Sequence, residues 1–243
     1  MDYQEKLLKH ALSKYPLSPE VISAYKKCPR HHFIKRPYSM EEMYGDYPLA
    51  IYEDDEFIST ISQPSFVLLM IDMLDLKSDH KVLELGAGSG WNAALMSYIA
   101  KEVVSIEIIP SLAEETRENL KSMGFSNVNI ITGDGADGYS PDAPYDRGIF
   151  TAGATDLPRA FHQQIKNGGK LLFVFKQWDV DLLLLLEKKE DHFEEISRLH
   201  CSFVPMKGKS EAMINRQIET GGRLKIYQNT DEGTGSQSLF LLA

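Results

Sequence analysis

The chain has 243 residues, a formal net charge of −9 at pH 7 and a pI of about 5.3. This length suits one domain with a full hydrophobic core, and the acidic balance argues against a surface that binds nucleic acid. Cys28 and Cys201 predict neither a disulfide framework nor a zinc site. The N-terminus lacks an apolar signal-peptide core, and the leucine run at 182–186 is too short to cross a membrane. We therefore expect a cytoplasmic monomer with no bound metal and no membrane partner.

Residues 1–80 are predicted to form a helical N-terminal section. Leu7 and Ala11 fall on one helical face, and Ser18, which precedes a proline, is typical of a helix start. The segment CPRHHF at 28–33 contains adjacent histidines. Neighbouring side chains point in different directions in a helix or a strand and rarely share a metal. A packing and hydrogen-bonding role is predicted for this segment.

A candidate substrate-binding segment precedes the helix that is predicted to start at Pro64. Thr60, Ile61 and Ser62 end the loop before this helix. A helix N-terminus has unsatisfied N–H groups and the positive end of the helix dipole, so it can hold an anion. These three residues could therefore bind a substrate carboxylate. Ser62 could equally be a simple helix cap, and the sequence leaves both interpretations open.

A strand–turn–helix unit at residues 81–100 is the centre of the predicted fold. Its short apolar strand ends in glycines at alternate positions, Gly86, Gly88 and Gly90. Such glycines let the backbone turn tightly and approach a ligand closely. A dinucleotide motif would need a third glycine where Trp91 stands, so NAD is not expected.

The remaining elements alternate between strands and helices and end in a hairpin. They are a strand at 103–107, a helix with a capping box at 111–114 that stops near Gly124, strands at 128–132, 147–151 and 171–175, a helix at 157–166, and a hairpin of 182–187 with 193–203. This order predicts an α/β fold with a doubly wound, mostly parallel sheet and an antiparallel C-terminal hairpin.

Three predicted strand ends carry further candidate site residues. Glu107 ends its strand, where a carboxylate can accept hydrogen bonds from both hydroxyls of a ribose. Asp134 and Gly135 form a loop after the next strand, although Asp134 also suits an ordinary turn. Ala154 belongs to a run of small residues that would leave space for reacting groups.

Several motifs occur in the order found in one enzyme family. They are CPRHHF at 28–33, ISQP at 61–64, LELGAGSG at 83–90, GDG at 133–135, APYD at 143–146 and KNGGK at 166–170. The pattern Glu-x-Gly-x-Gly-x-Gly that begins at Glu84 resembles motif I of the class I S-adenosylmethionine-dependent methyltransferases. The whole set resembles the protein-L-isoaspartate (D-aspartate) O-methyltransferase family over residues 5–206. The resemblance implies a Rossmann-like fold with S-adenosylmethionine as cofactor.

The resemblance also implies roles for individual residues. Glu84 would lie near the amino acid end of the cofactor. The loop of Asp134 and Gly135 would lie over the adenine, where Asp134 could receive the exocyclic amine. The substrate would be the α-carboxyl of an L-isoaspartyl residue in a damaged protein, oriented by Ser62. Its methyl ester would collapse to a succinimide, which leads to repair.

Two stretches depart from the family pattern. Residues 52–59 replace a short glycine-containing loop with a longer, acidic one on the substrate side. Residues 207–243 form an extension, which we interpret as a small appendage or a partly ordered arm. The expected organisation is thus a helical N-terminal section at 1–80, a cofactor-binding core at 81–206 and the extension.

The expected chemistry needs no catalytic base. A substrate carboxylate with a pKa of about 4 is already ionised at pH 7. Positioning of the reactants and removal of water would therefore accelerate methyl transfer. Two alternatives remain open at this point. The acidic loop would suit a related methyltransferase that acts on another peptide carboxylate or on a small molecule. A non-catalytic protein that binds S-adenosylmethionine is the other alternative.

Overall fold

The computed structural model describes residues 2–177, 180–209, 222–230 and 237–242. The helices are α1 (Tyr3–Lys14), α2 (Pro19–Lys27), α3 (Met40–Met43), α4 (Pro64–Met73), α5 (Trp91–Ser97), α6 (Pro110–Ser122) and α7 (Arg159–Gln164). The strands are β1 (Leu49–Glu53), β2 (Ile58–Ile61), β3 (Lys81–Leu85), β4 (Glu102–Glu107), β5 (Val128–Thr132), β6 (Tyr145–Phe150), β7 (Ile165–Phe175), β8 (Asp181–Lys188), β9 (His192–Cys201), β10 (Leu224–Gln228) and β11 (Ser238–Leu242). Among the described helices, none has both the length and the apolar character needed to cross a membrane.

The main sheet has nine strands in the order β11-β10-β9-β8-β7-β6-β3-β4-β5. The strands from β7 to β5 in this order run parallel, and most of their buried side chains are apolar, as expected for strands covered on both faces. The chain runs outward from β3 to β4 and β5 and then returns to the other side of β3 as β6. This reversal is a topological switch point, and ligands bind outside the carboxyl ends of the strands at such points. The predicted doubly wound α/β fold is confirmed.

Two local predictions in this part of the chain are wrong. Helix α7 is shorter than predicted, because Ile165 already pairs with Tyr145 at the start of β7 and is buried there. Burying this apolar side chain in the sheet favours the strand over one more helical turn. Helix α6 has no capping box. It begins at Pro110, whose missing N–H suits the first helical position, and Ile109 caps it without a side-chain hydrogen bond.

The antiparallel part of the sheet is larger than the predicted hairpin. Strands β8 and β9 form that hairpin, and β10 and β11 from the extension add to its outer edge. The Ser238 hydroxyl donates to the carbonyl oxygen of Leu157 at 2.7 Å and lies 2.8 Å from His162 Nε2, so β11 is tied to the region of α7. The described part of the extension thus belongs to the main sheet and is not a separate appendage. Residues 210–221 and 231–236 lie outside the described residues.

The N-terminal section contains a β-hairpin that the sequence prediction omitted. Helices α1 and α2 contact α4, and β1 pairs with β2 in an antiparallel hairpin. The acidic stretch at 52–59 forms the end of this hairpin. Its turn is fixed by Asp54, whose carboxylate accepts hydrogen bonds from the backbone N–H groups of Glu56 at 2.9 Å and Phe57 at 2.7 Å. The section is therefore helical with a hairpin added on the side of the switch point.

Candidate active site

A cavity opens at the switch point, outside the carboxyl ends of β3 and β4. It encloses about 800 Å³ together with its open mouth. One wall is the glycine loop after β3, and another is formed by β2 and Ser62. A third wall is residues 204–207, which we call the strap. The Met206 N–H donates to the carbonyl oxygen of Gly153 at 2.7 Å, which fixes the strap beside the end of β6.

The three glycines of the loop exclude a larger residue for different structural reasons. All have positive φ, at +95° for Gly86, +52° for Gly88 and +80° for Gly90. A Cβ on Gly86 would lie 2.3 Å from Thr151 Oγ1, and one on Gly90 would lie 2.7 Å from the Thr116 side chain. Gly86 and Gly88 line the cavity, whereas Gly90 lies outside its wall and leaves room for the Thr116 and Leu120 side chains of α6. Only at Gly88 would a Cβ have room, because its nearest neighbour would be 3.6 Å away in the hairpin.

Glu107 ends β4 with its carboxylate in the cavity wall. One oxygen accepts from the Gly88 N–H at 2.8 Å and the other from the Ile109 N–H at 3.0 Å. Burial raises the pKa of Glu107, and these backbone N–H groups oppose the rise. Thr116 Oγ1 donates to the Gly88 carbonyl oxygen at 2.6 Å, so both backbone groups of Gly88 are held. Each carboxylate oxygen keeps a lone pair for a further donor, which fits the ribose hydroxyls expected there.

Glu84 is buried beneath the cavity and does not form part of its wall. Its side chain is 0% exposed, and Oε2 accepts from the Ser105 hydroxyl of the neighbouring strand at 2.5 Å. The other oxygen, Oε1, has no hydrogen-bond partner within the described part of the chain. Burial raises the pKa of Glu84 to about 8, although the Ser105 bond and the nearby Asn92 side chain oppose the rise. An unpaired buried carboxyl oxygen next to the cavity is compatible with a donor on a bound ligand.

Replacing Glu84 by glutamine is expected to remove a pH dependence of stability. The folded-state pKa of about 8 lies above the model value of 4.5. Between these values the folded protein holds a proton that the unfolded chain releases, so the free energy of unfolding falls as the pH rises, by on the order of a few kcal/mol in total. Glu84→Gln should flatten this slope in urea titrations from pH 5 to pH 8.5, and a wild-type slope retained in Glu84→Gln would refute the expectation. Glu118→Gln, at an exposed position on α6, is the matched control and should keep the slope.

The segment of Thr60, Ile61 and Ser62 lines the cavity opposite the glycine loop. The interpretation of Ser62 as a helix cap is wrong, because α4 is capped by Gln63 without a side-chain bond. The N–H of Ser65 donates instead to the carboxylate of Asp46 at 2.9 Å. Within the described residues the Ser62 hydroxyl has no hydrogen-bond partner. It is therefore available to a ligand in the cavity.

Of the remaining predicted site residues, only Gly135 reaches the cavity wall. The Asp134 carboxylate lies outside the wall and accepts from the backbone N–H groups of Ala136 at 2.9 Å and Lys209 at 2.7 Å, which is the ordinary role of a turn aspartate. Ala154 is buried and also lies outside the wall, because its N–H donates to the carbonyl oxygen of Val174 at 2.9 Å as a continuation of the sheet. The small residue that lines the cavity in its place is Ala152.

Sequence reasoning missed several residues that shape the site. The buried Arg30 donates to the carbonyl oxygens of Ile61 and Ser62, and Thr116 holds Gly88. Arg30 lies in the CPRHHF segment, for which packing and hydrogen bonding were predicted without a role for Arg30 at the site.

Comparisons with known proteins all identify relatives of one family. The model of the family described as protein-L-isoaspartate(D-aspartate) O-methyltransferase matches residues 3–211. A protein-L-isoaspartate O-methyltransferase of Methanopyrus kandleri is 41% identical over 201 residues, 80% of this chain and 86% of the relative. Protein-L-isoaspartate O-methyltransferase 2 of Archaeoglobus fulgidus is 38% identical over 216 residues, 86% of this chain and 96% of the relative.

Solved structures agree with these sequence relatives. A protein-L-isoaspartate O-methyltransferase superimposes with a TM-score of 0.80 at 30% identity, covering 85% of this chain and 67% of that one. A putative protein-L-isoaspartate O-methyltransferase of Plasmodium falciparum, solved in complex with S-adenosyl-L-homocysteine, has the same fold with a TM-score of 0.70 at 20% identity, covering 85% of this chain and 99% of that one. The family match covers most of the chain and the cavity lies where this fold binds ligands, so the chain belongs to the protein-L-isoaspartate(D-aspartate) O-methyltransferase family.

Proposed function

We propose that this protein is an S-adenosylmethionine-dependent carboxyl O-methyltransferase that methylates the α-carboxyl of L-isoaspartyl residues in damaged proteins. The observation that carries the proposal is that one cavity is lined both by the glycine loop and by Ser62, whose hydroxyl is unpaired among the described residues. The relatives that share most of this chain are named for the same activity.

The glycine-loop side of the cavity fits the cofactor. S-adenosylmethionine, when bound, supplies a methyl group on a positively charged sulfur. Gly86 and Gly88 leave room for close approach, Glu107 would accept the ribose hydroxyls, and Gly135 would flank the base. Glu84, beneath the loop, would face the amino acid end of the cofactor. The relative solved with S-adenosyl-L-homocysteine shares this fold, which supports the assignment.

The hairpin side of the cavity would hold the substrate carboxylate. This group is ionised at neutral pH because its pKa is about 4. No residue is therefore needed to remove a proton from it. The Ser62 hydroxyl would donate to one carboxylate oxygen, and the backbone of Thr60 and Ile61 would form the surrounding wall. The hairpin and the strap would exclude water, which weakens the solvation of the nucleophile.

We further propose that the protein works as a cytoplasmic monomer without a nucleic-acid partner, which its net charge of −9 supports. In this arrangement residues 1–80 supply the substrate side and residues 81–206 supply the cofactor side, while β10 and β11 extend the sheet.

A methyl-transfer assay with paired peptides tests the substrate. We expect kcat/KM for a peptide with one L-isoaspartyl residue to exceed that of its aspartyl counterpart by at least about a hundredfold, because only the isoaspartyl residue presents a free α-carboxyl at that position. Base-stable product would contradict a carboxyl ester, and equal rates on the two peptides would contradict isoaspartyl recognition.

A methyltransferase that acts on another carboxylate is the second candidate. The observation that favours it is the exposed acidic turn at residues 53–56, which directly precedes Phe57 and Ile58 in the cavity wall. If this candidate is correct, the protein will bind S-adenosyl-L-homocysteine but show no preference for the isoaspartyl peptide. If neither ligand binds nor methyl transfer occurs, both candidates are wrong.

A further inference from the structure

Arg30 forms an unusual buried site next to the substrate segment. It follows α2, its side chain is 0% exposed, and its guanidinium donates only to backbone carbonyl oxygens among the described residues. The acceptors are Met43 at 2.5 Å, Gly45 at 3.4 Å, Tyr47 at 3.3 Å, Ile61 at 3.2 Å and Ser62 at 3.1 Å. Burial lowers the pKa of Arg30 to about 10, so the group still carries its charge at neutral pH.

Two of these contacts fix the backbone on both sides of Ser62. The carbonyl of Ile61 belongs to the peptide unit before the Ser62 Cα, and the carbonyl of Ser62 belongs to the unit after it. Each peptide unit is planar, so holding both carbonyls restrains both backbone dihedrals of Ser62. Only the χ1 rotation of the Ser62 side chain then remains free, so the hydroxyl is limited to a few staggered positions.

The same guanidinium also contacts the cofactor side of the cavity. It lies over the ring of Trp91, with its central carbon 5.7 Å from the ring centroid. Trp91 is the first residue of α5, directly after the glycine loop, and its indole N–H donates to the Cys28 carbonyl oxygen at 3.1 Å. Arg30 therefore links Ile61 and Ser62, before α4, to Trp91, the residue after the glycine loop.

A second brace acts on the other side of the same segment. Gly45 and Tyr47, two of the residues whose carbonyls Arg30 holds, flank Asp46. Asp46 accepts from Gln63 Nε2 at 3.1 Å and from the Ser65 hydroxyl at 2.8 Å. Although burial opposes it, hydrogen bonds from Lys14 and Ser65 hold the pKa of Asp46 well below its usual range. The carboxylate is thus ionised at neutral pH and fixes the start of α4.

We propose that Arg30 is the positioning residue that places the Ser62 hydroxyl in line with the cofactor. It touches neither substrate nor cofactor and acts through the two carbonyls beside Ser62. The proposal rests on the proposed function for the role of Ser62. Burying a cation costs desolvation free energy, so packing alone does not explain an arginine at this position. Lysine cannot reproduce the planar guanidinium that contacts five acceptors.

The test compares Arg30→Lys with Arg147→Lys. Arg147 is a matched control because it too is largely buried and donates to backbone carbonyls, those of Leu74 at 2.6 Å and Asp146 at 2.9 Å, at the end of β6 away from the cavity. For Arg30→Lys we expect kcat/KM on the isoaspartyl peptide to fall roughly a hundredfold, since a misplacement of about 1 Å has this effect. Affinity for S-adenosyl-L-homocysteine should change less than about threefold, a factor well inside one decade of affinity. Arg147→Lys should lower the melting temperature without changing kcat/KM.

Amide hydrogen exchange provides a readout that does not depend on activity. In Arg30→Lys, exchange should increase at residues 61–65 and remain unchanged in the glycine loop, whereas Arg147→Lys should leave both unchanged. Asp46→Asn should also increase exchange at these residues, because it weakens the hydrogen bonds from Gln63 and Ser65. This variant keeps the test available if Arg30→Lys folds poorly. Unchanged exchange at 61–65, or activity of a folded Arg30→Lys protein within about threefold of wild type, overturns the proposal. Lack of wild-type activity on the isoaspartyl peptide instead overturns the proposed function and leaves the exchange result to decide the role of Arg30.

Discussion

Replacement of Ser62 by aspartate is expected to reduce methyl transfer about a thousandfold while leaving the fold and the cofactor affinity intact. The new carboxylate would stand beside the substrate carboxylate. At an effective dielectric constant near 20 and a separation of about 4 Å, the repulsion is on the order of 4 kcal/mol, which corresponds to this loss of rate. The Ser62 hydroxyl has no partner among the described residues, so the folded state loses no hydrogen bond.

Ser62→Asn is the matched control, because asparagine has nearly the shape of aspartate without its charge. We expect it to lose far less activity than Ser62→Asp. Ser62→Ala should change the free energy of unfolding by no more than about 0.5 kcal/mol, as expected away from caps and buried bonds, and should still lower kcat. Measurements are melting temperature, S-adenosyl-L-homocysteine titration and initial rates. Near wild-type rates in a folded Ser62→Asp protein would remove Ser62 from the site.

Gly88→Val is expected to weaken S-adenosyl-L-homocysteine binding by about a hundredfold or more, a loss of roughly 3 kcal/mol. The φ of Gly88 is +52°, and its Cβ would point to the space between the loop and the hairpin, with the nearest protein atom 3.6 Å away. A branched side chain there would occupy the position of the ligand, and the positive φ adds backbone strain that must be controlled for.

Gly124→Val controls for backbone strain. Gly124 has a φ of +83°, and a Cβ there would meet nothing within 4 Å, so this variant carries a similar conformational penalty outside the cavity. It should lower the melting temperature and keep the affinity measured by calorimetry. NAD should bind neither variant nor the wild type. If Gly88→Val binds S-adenosyl-L-homocysteine normally, the glycine loop is not the cofactor site.

The parts of the fold that local patterns determine could be predicted from sequence. The strand before Gly86 and the strand at β5 have the predicted positions, because short apolar runs bounded by turns carry their own signal. The end of α7 could not be predicted, because Ile165 joins the sheet through a partner distant in sequence. The same holds for β10 and β11, whose pairing with β9 is a tertiary choice.

The candidate site likewise contains residues that the sequence predicts and residues that depend on distant partners. Gly86, Gly88 and Glu107 come together because consecutive parallel strands end at one edge of the sheet, a geometry that sequence order alone implies. Ala154 and Asp134 were placed by their position after strands, but their backbone and side-chain bonds direct them elsewhere. Arg30 was missed because its acceptors are backbone carbonyls, which carry no residue-specific signal in the sequence.

The walls of the cavity have a consequence for resistance to degradation. The hairpin and the strap belong to segments near opposite ends of the chain, and both would contact a single bound molecule. A ligand that binds only the folded state at about a hundred times its Kd adds about 2.7 kcal/mol to stability. Local opening of either segment would first require loss of that ligand. Cellular cofactor concentration would thereby set how rapidly proteases attack the β1–β2 hairpin and the strap.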